Sequence, residues 1–121
     1  MHVEILRGSG LVCEMDVDFE HKQVQNYKKY TNDFWILPFN NKLNEISFEM
    51  FEGFLESRCP DRDRYDLKEL LENWGLIEFD SLEIVKKTHG LMLDDFIWIR
   101  FEGENISYTD IKVRDYDPGP L

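Results

Sequence analysis

The stretch Val3-Glu4-Ile5-Leu6-Arg7-Gly8-Ser9-Gly10-Leu11-Val12-Cys13-Glu14-Met15-Asp16-Val17 decides the fold class. Two largely apolar arms flank Gly8-Ser9-Gly10, three small residues that tolerate positive φ, and this is the pattern of a β-hairpin. In the second arm Leu11, Cys13, Met15 and Val17 share one face while Glu14 and Asp16 take the other. That alternation predicts a half-buried strand in an antiparallel sheet with one wet side. A late run, Phe96-Ile97-Trp98-Ile99-Arg100-Phe101, is rich in aromatic and β-branched residues and reads as a further strand of the same sheet. Gly103-Glu104-Asn105 can then turn the chain into Ile106 to Tyr108 as a second hairpin arm; Thr109 to Arg114 stays open between a short helix and a separate strand.

Three helical signals lie between the early hairpin and the late strand. Ser47 is a good N-cap, followed by Phe48, Phe51, Phe54 and Leu55 at three- and four-residue steps, with Glu49, Glu52 and Glu56 on an adjoining face. Pro60 bars continuation beyond it. Asp63 is expected to cap a second helix with Leu67, Leu70, Leu71 and Trp74 as its apolar stripe and Gly75 as its stop. Asp80-Ser81-Leu82-Glu83 has the acid at the third helical position that a capping box uses, and His89-Gly90 ends this third helix. Residues 22–43 fit neither the helical nor the strand period for long; a strand over Lys22 to Tyr27 and an extended piece over Phe34 to Leu37, stopped by Pro38, are expected. The reading is therefore α+β: a small antiparallel sheet, built from the N-terminal hairpin plus the late strand or hairpin, packed against about three short helices. One domain covers residues 1–114, and residues 115–121, with two prolines, a glycine and two acids, read as a flexible acidic tail.

Composition narrows the function classes. With 121 residues, 42% hydrophobic and 14% aromatic, the chain has the apolar material for one folded domain and no room for two of full size. Its 25 acidic against 14 basic side chains leave a net charge of −11, which argues against a generic phosphate-backbone binder. No apolar run reaches the ~18 residues of a membrane span, and Met1-His2-Val3-Glu4-Ile5-Leu6-Arg7 lacks a secretory leader's pattern, so a cytoplasmic protein of a bacterial host cell is expected. Cys13 and Cys59 are too few for a disulfide scaffold or a four-cysteine zinc site.

No catalytic spacing stands out. Gly8-Ser9-Gly10 matches neither phosphate-loop nor dinucleotide-loop spacing, and there is no nucleophile elbow. Cys59 beside Pro60, near several arginines, reads as a helix-end structural cysteine in preference to a nucleophile. His2, His21 and His89 are too far apart in sequence for a local zinc pair; a site assembled only in three dimensions stays open, and neither metal nor cofactor is expected. Arg58, Arg62 and Arg64 with Asp61, Asp63 and Asp66 form a mixed-sign cluster that reads as a tie between helix ends. What stands out is the acidic excess, concentrated in residues 1–57 and 91–121. Glu49, Glu52 and Glu56 on the first helix, with Asp94, Asp95, Glu102 and Glu104 around the late strand, are the candidate partner-binding residues, presenting carboxylates to a basic surface as phosphates would.

Phe54-Leu55-Glu56-Ser57-Arg58-Cys59-Pro60, Arg62, Arg64, Gly75-Leu76, Asp80-Ser81-Leu82-Glu83-Ile84, Lys87-Thr88-His89-Gly90, Met92, Asp94-Asp95 and Trp98-Ile99-Arg100 together resemble a group of small, uncharacterised acidic proteins on mobile elements of Firmicutes. More distantly, they resemble the region preceding the kinase domain in some HipA-like proteins. The resemblance spans Phe54 to Arg100; Pro60 directly after Cys59, Ser81 in place of a proline and Leu91 in place of an arginine depart from the group. With no nucleotide loop or H-R-D-type segment, the resemblance implies an adaptor or regulator without phosphotransfer. The functional expectation is a non-enzymatic, acidic, protein-binding inhibitor from a phage or mobile element. It would block the basic nucleic-acid surface of a defence nuclease, as anti-CRISPR proteins of the DNA-mimic kind do. The alternative is a toxin-antitoxin accessory or regulatory subunit partnering a HipA-like kinase. In either case the partner is a protein with a basic surface, with no direct nucleic-acid or membrane contact.

Overall fold

A computed structural model describes residues 1–112 and 116–118. The N-terminal hairpin forms as its alternation requires, with β1 (His2–Arg7) antiparallel to β2 (Gly10–Asp18) around the turn at Gly8, which has φ +57°. β3 (Gln23–Lys29) pairs with the far side of β2, and β4 (Ile97–Phe101) pairs with β1, giving a four-stranded antiparallel sheet of order β3-β2-β1-β4. Three helices, α1 (Phe48–Ser57), α2 (Leu67–Asn73) and α3 (Ser81–Thr88), fall between β3 and β4, and a four-residue α4 (Tyr108–Ile111) follows. The α+β architecture is the one read from the sequence. No helix among the described residues is long and apolar enough to cross a membrane.

Period-2 alternation divides the sheet into two faces. One carries Val3, Ile5, Cys13, Met15, Val17, Ile99 and Phe101 against Phe51 and Leu55 of α1 and Val85 of α3, the main core. The other carries Leu6 and Trp98 under Tyr108 of α4, with Leu11, Leu91, Phe96, Ile106 and Ile111 around them. Trp98 is fully buried, and its indole N–H donates to the Gly8 carbonyl at 2.8 Å, so the large ring leaves no polar atom unsatisfied. Among the described residues this cover lies over one end of the second face; His2 and Glu4, in alternation with Leu6, continue it as a half-buried polar surface.

Local chemistry explains where the structure departs from the sequence reading. Phe34 to Leu37 is not extended: the Asp33 carboxylate accepts from Trp35 N at 3.0 Å and its carbonyl accepts from Ile36 N and Leu37 N, so a short polar side chain winds the segment into turns. Asp63 does not cap α2. Asp61 claims its N–H instead, successive turns (Arg64 N to Asp61 O, Leu67 N to Arg64 O) use up the interval, and the helix begins after Asp66. The stripe assigned to α2 is mostly unburied, with Leu71 alone in the interior. Ile106 to Tyr108 is not a hairpin arm. Ser107 and Asp110 close a capping box that starts α4, which decides the open alternative for Thr109 to Ile111 in favour of helix. Val113 and Arg114 lie outside the described residues. Of the expected tail, 115 and 119–121 also lie outside the described residues, whereas Tyr116 stacks edge-on against Phe96 and accepts the Tyr108 hydroxyl at its carbonyl, and Asp117 accepts from Ser9 N.

Candidate functional site

Helix α1 positions three of the seven candidate acids. Ser47 caps it by accepting from Met50 N at 3.1 Å, and burial of Phe51 and Leu55 orients the opposite side outward. Glu49, Glu52 and Glu56 are all exposed, and three- and four-residue spacing puts successive carboxylates on neighbouring turns. Among the described residues Glu49 and Glu52 make no ion pair, whereas Glu56 accepts from Arg62 Nε at 3.0 Å with both side chains largely in solvent. Such an exposed pair has little hold on either partner.

The other four acids divide by burial. Asp94 is exposed and has no ion pair among the described residues. Asp95 accepts a two-pronged bond from Arg58, whose Nη1 and Nη2 reach its oxygens at 2.7 and 2.8 Å while Nε donates to the Gly90 carbonyl and Nη2 also to that of Ile97. The Arg58 side chain is only 8% exposed, so this pair ties the end of α1 to the segment entering β4. Glu104 is also engaged internally, accepting from Phe101 N at 2.7 Å and lying 2.8 Å from His89 Nε2. Glu102 is exposed and takes the His2 backbone N–H at 3.1 Å. The structure thus joins Asp95 to the α1 terminus through Arg58 and turns Asp95 and Glu104 toward structural partners; it leaves Glu49, Glu52 and Asp94 open to solvent.

The mixed-sign arginine cluster is resolved the same way. Arg58 holds Asp95, Arg62 holds Glu56 and lies over the Phe79 ring at 3.9 Å, and Arg64 holds Asp66. The guanidinium charges there are already matched to carboxylates of the chain.

Neither cysteine is poised as a nucleophile. Burial raises the Cys13 thiol to about 12, and burial together with the nearby Glu56 charge raises Cys59 to about 11. Cys59 also donates its S–H to the Leu55 carbonyl at 3.3 Å. A thiol so far above neutrality is protonated and packs as a small apolar group.

Two features lay outside the sequence reading. Phe34 and Trp35 stand 65% and 83% exposed, their ring centroids 4.7 Å apart, on the turn that Asp33 holds. The one available signal was a pair of adjacent aromatics in a segment with no periodicity. The second is a histidine-carboxylate group on the sheet, formed by β1 and β2 across the hairpin register His2↔Asp16 and Glu4↔Glu14. No protein family, curated protein or solved structure matches the chain.

Proposed function

We propose that this protein is a non-enzymatic inhibitor carried by a phage or mobile element. It binds a nucleic-acid-guided defence nuclease in the bacterial cytoplasm and occupies that enzyme's basic nucleic-acid channel with its own carboxylates. The observation that supports this reading is the exposure of Glu49 and Glu52 on α1 and of Asp94 before β4. Among the described residues none of these three carboxylates has an ion pair, whereas Asp95 and Glu4 are engaged by Arg58 and Arg100. They are open to an external cation on a chain of net charge −11. Two glutamates one turn apart place their Cβ atoms roughly 5–6 Å from one another, on a rigid support that costs little to order. Phe34 and Trp35 add exposed aromatic area of the kind that anchors protein interfaces.

The test is competition. Guided nucleases from bacterial hosts are titrated with the purified chain while their DNA binding is followed by mobility shift. Release of DNA that weakens as salt rises is expected, and the E49Q/E52Q/E56Q variant should compete at least about tenfold more weakly, a loss of roughly 1.4 kcal/mol. Competition by that triple variant at full strength overturns the assignment to α1. No effect on any guided nuclease, with capture of a HipA-like kinase instead, overturns the inhibitor reading.

A further inference from the structure

We propose that His2, Glu4 and Glu14 form a binding site for a divalent transition ion of the zinc type on the open end of the second sheet face, with Asp16 as the residue that positions the histidine. One donor atom from each of the three lies within 4.8 Å of the others, and all three side chains are half-buried. Two donors at about 2.1 Å from a common zinc ion stand roughly 3.4 Å apart at a tetrahedral angle, so a movement of about 1 Å at the flexible carboxylate ends completes the set.

The histidine distinguishes this group from a chance cluster of acids. His2 Nδ1 lies 2.8 Å from Asp16 Oδ1, and Asp16 is fixed from its other oxygen by Asn26 Nδ2 at 2.8 Å. Asn26 reaches it from a left-handed conformation, φ +55°, where the β2–β3 register slips. A carboxylate on Nδ1 sets the tautomer that leaves the Nε2 lone pair free, the arrangement that orients metal-ligating histidines. Nε2 then lies 4.0 Å from Glu14 Oε2, beyond a hydrogen bond but within reach of an ion held by both.

Charge points the same way. Glu4 and Glu14 are directly opposed across the β1–β2 pair, a placement of like charges that destabilises a sheet unless something lies between them. Arg100 Nε takes Glu4 Oε1 at 2.8 Å, leaving the other oxygen; Lys28, the register partner of Glu14, has its ammonium 5.1 Å from the Tyr30 ring centroid and no ion pair among the described residues. The imidazole selects zinc-type ions over magnesium and calcium, and three protein ligands leave a position for water or for a side chain of a partner. The site is on the sheet face opposite α1, so it stands or falls independently of the inhibitor reading.

The tag-free chain is titrated with Zn²⁺ and with Mg²⁺ by calorimetry, and the imidazole resonances of all three histidines are followed by NMR. Expected are one equivalent of Zn²⁺, no saturable Mg²⁺ binding, and shifts at His2 but not at His21 or His89. H2A and E14Q should abolish binding, D16N should weaken it by about 10–100-fold, and H21Q should bind as the unsubstituted chain does. Absence of saturable Zn²⁺ binding, or shifts at His21 or His89 in place of His2, overturns the proposal in the unsubstituted chain, whatever the variants do to folding. Undiminished affinity in folded H2A and E14Q overturns it equally.

Discussion

Four hydrogen bonds leave the Arg58 guanidinium, two to Asp95 and one each to the carbonyls of Gly90 and Ile97, and this one side chain closes three separate segments together. Only a planar fork satisfies that set, so R58K does not substitute for it. R58A leaves the Gly90 and Ile97 carbonyls without the guanidinium and takes from Asp95 its opposite charge, so it is expected to cost about 2–3 kcal/mol in urea unfolding, with R58K recovering only part. Gly90 belongs to the same junction. Its φ is +68°, and an added Cβ would meet Ile99 Cδ1 at 3.1 Å, so G90A should cost more than about 1 kcal/mol. Asp16 bears on pH. Hydrogen bonds from Asn26 first, then His2, hold its carboxyl below the ordinary 3.8. A depressed folded value contributes stability that is present above the unfolded pKa and is lost as pH falls through the folded one. D16N should therefore flatten the decline of stability with acid below about pH 4, measured as unfolding midpoint against pH.

Among the elements, the two helices with working caps and buried stripes differ from the one without. The Asp80 carboxylate accepts from Glu83 N at 3.2 Å at the start of α3, which buries Ile84 and Val85 and ends in the left-handed His89. D80A should cost about 1 kcal/mol. Helix α2 has no side-chain cap bond and buries Leu71 alone, so little tertiary packing supports its seven residues. Its amides should exchange with solvent well before those of α1 in native-state hydrogen exchange; equal protection would show that α2 is held by contacts other than these. The leucines and Trp74 that made α2 look amphipathic record its helical period faithfully. A period says which residues share a face, and burial requires that another element be there to meet it.

For the whole molecule, the acids divide between holding the fold and facing outward, and the two groups should separate by experiment. E49Q/E52Q/E56Q removes three negative charges from an exposed helix face whose only ion pair among the described residues is the solvated Glu56–Arg62 contact. Its stability should stay within about 0.5 kcal/mol of the unsubstituted chain, while any charge-driven partner binding falls. The sequence by itself determined the hairpin, the late strand, the caps at Ser47 and Asp80 and hence the α+β class, because these rest on alternation, helical spacing and capping chemistry, all interactions between near neighbours in the chain. It also named the exposed glutamates of α1, since a helix whose apolar side is known has its polar side known too. Tertiary structure alone decided that Asp95 and Glu104 serve Arg58 and His89, that Phe34 and Trp35 stand in solvent, and that His2, Glu4, Glu14 and Asp16 meet on one sheet face. Those outcomes depend on strand register and on contacts between residues 10 to 37 positions apart, and no local pattern encodes which distant side chain arrives opposite a given carboxylate.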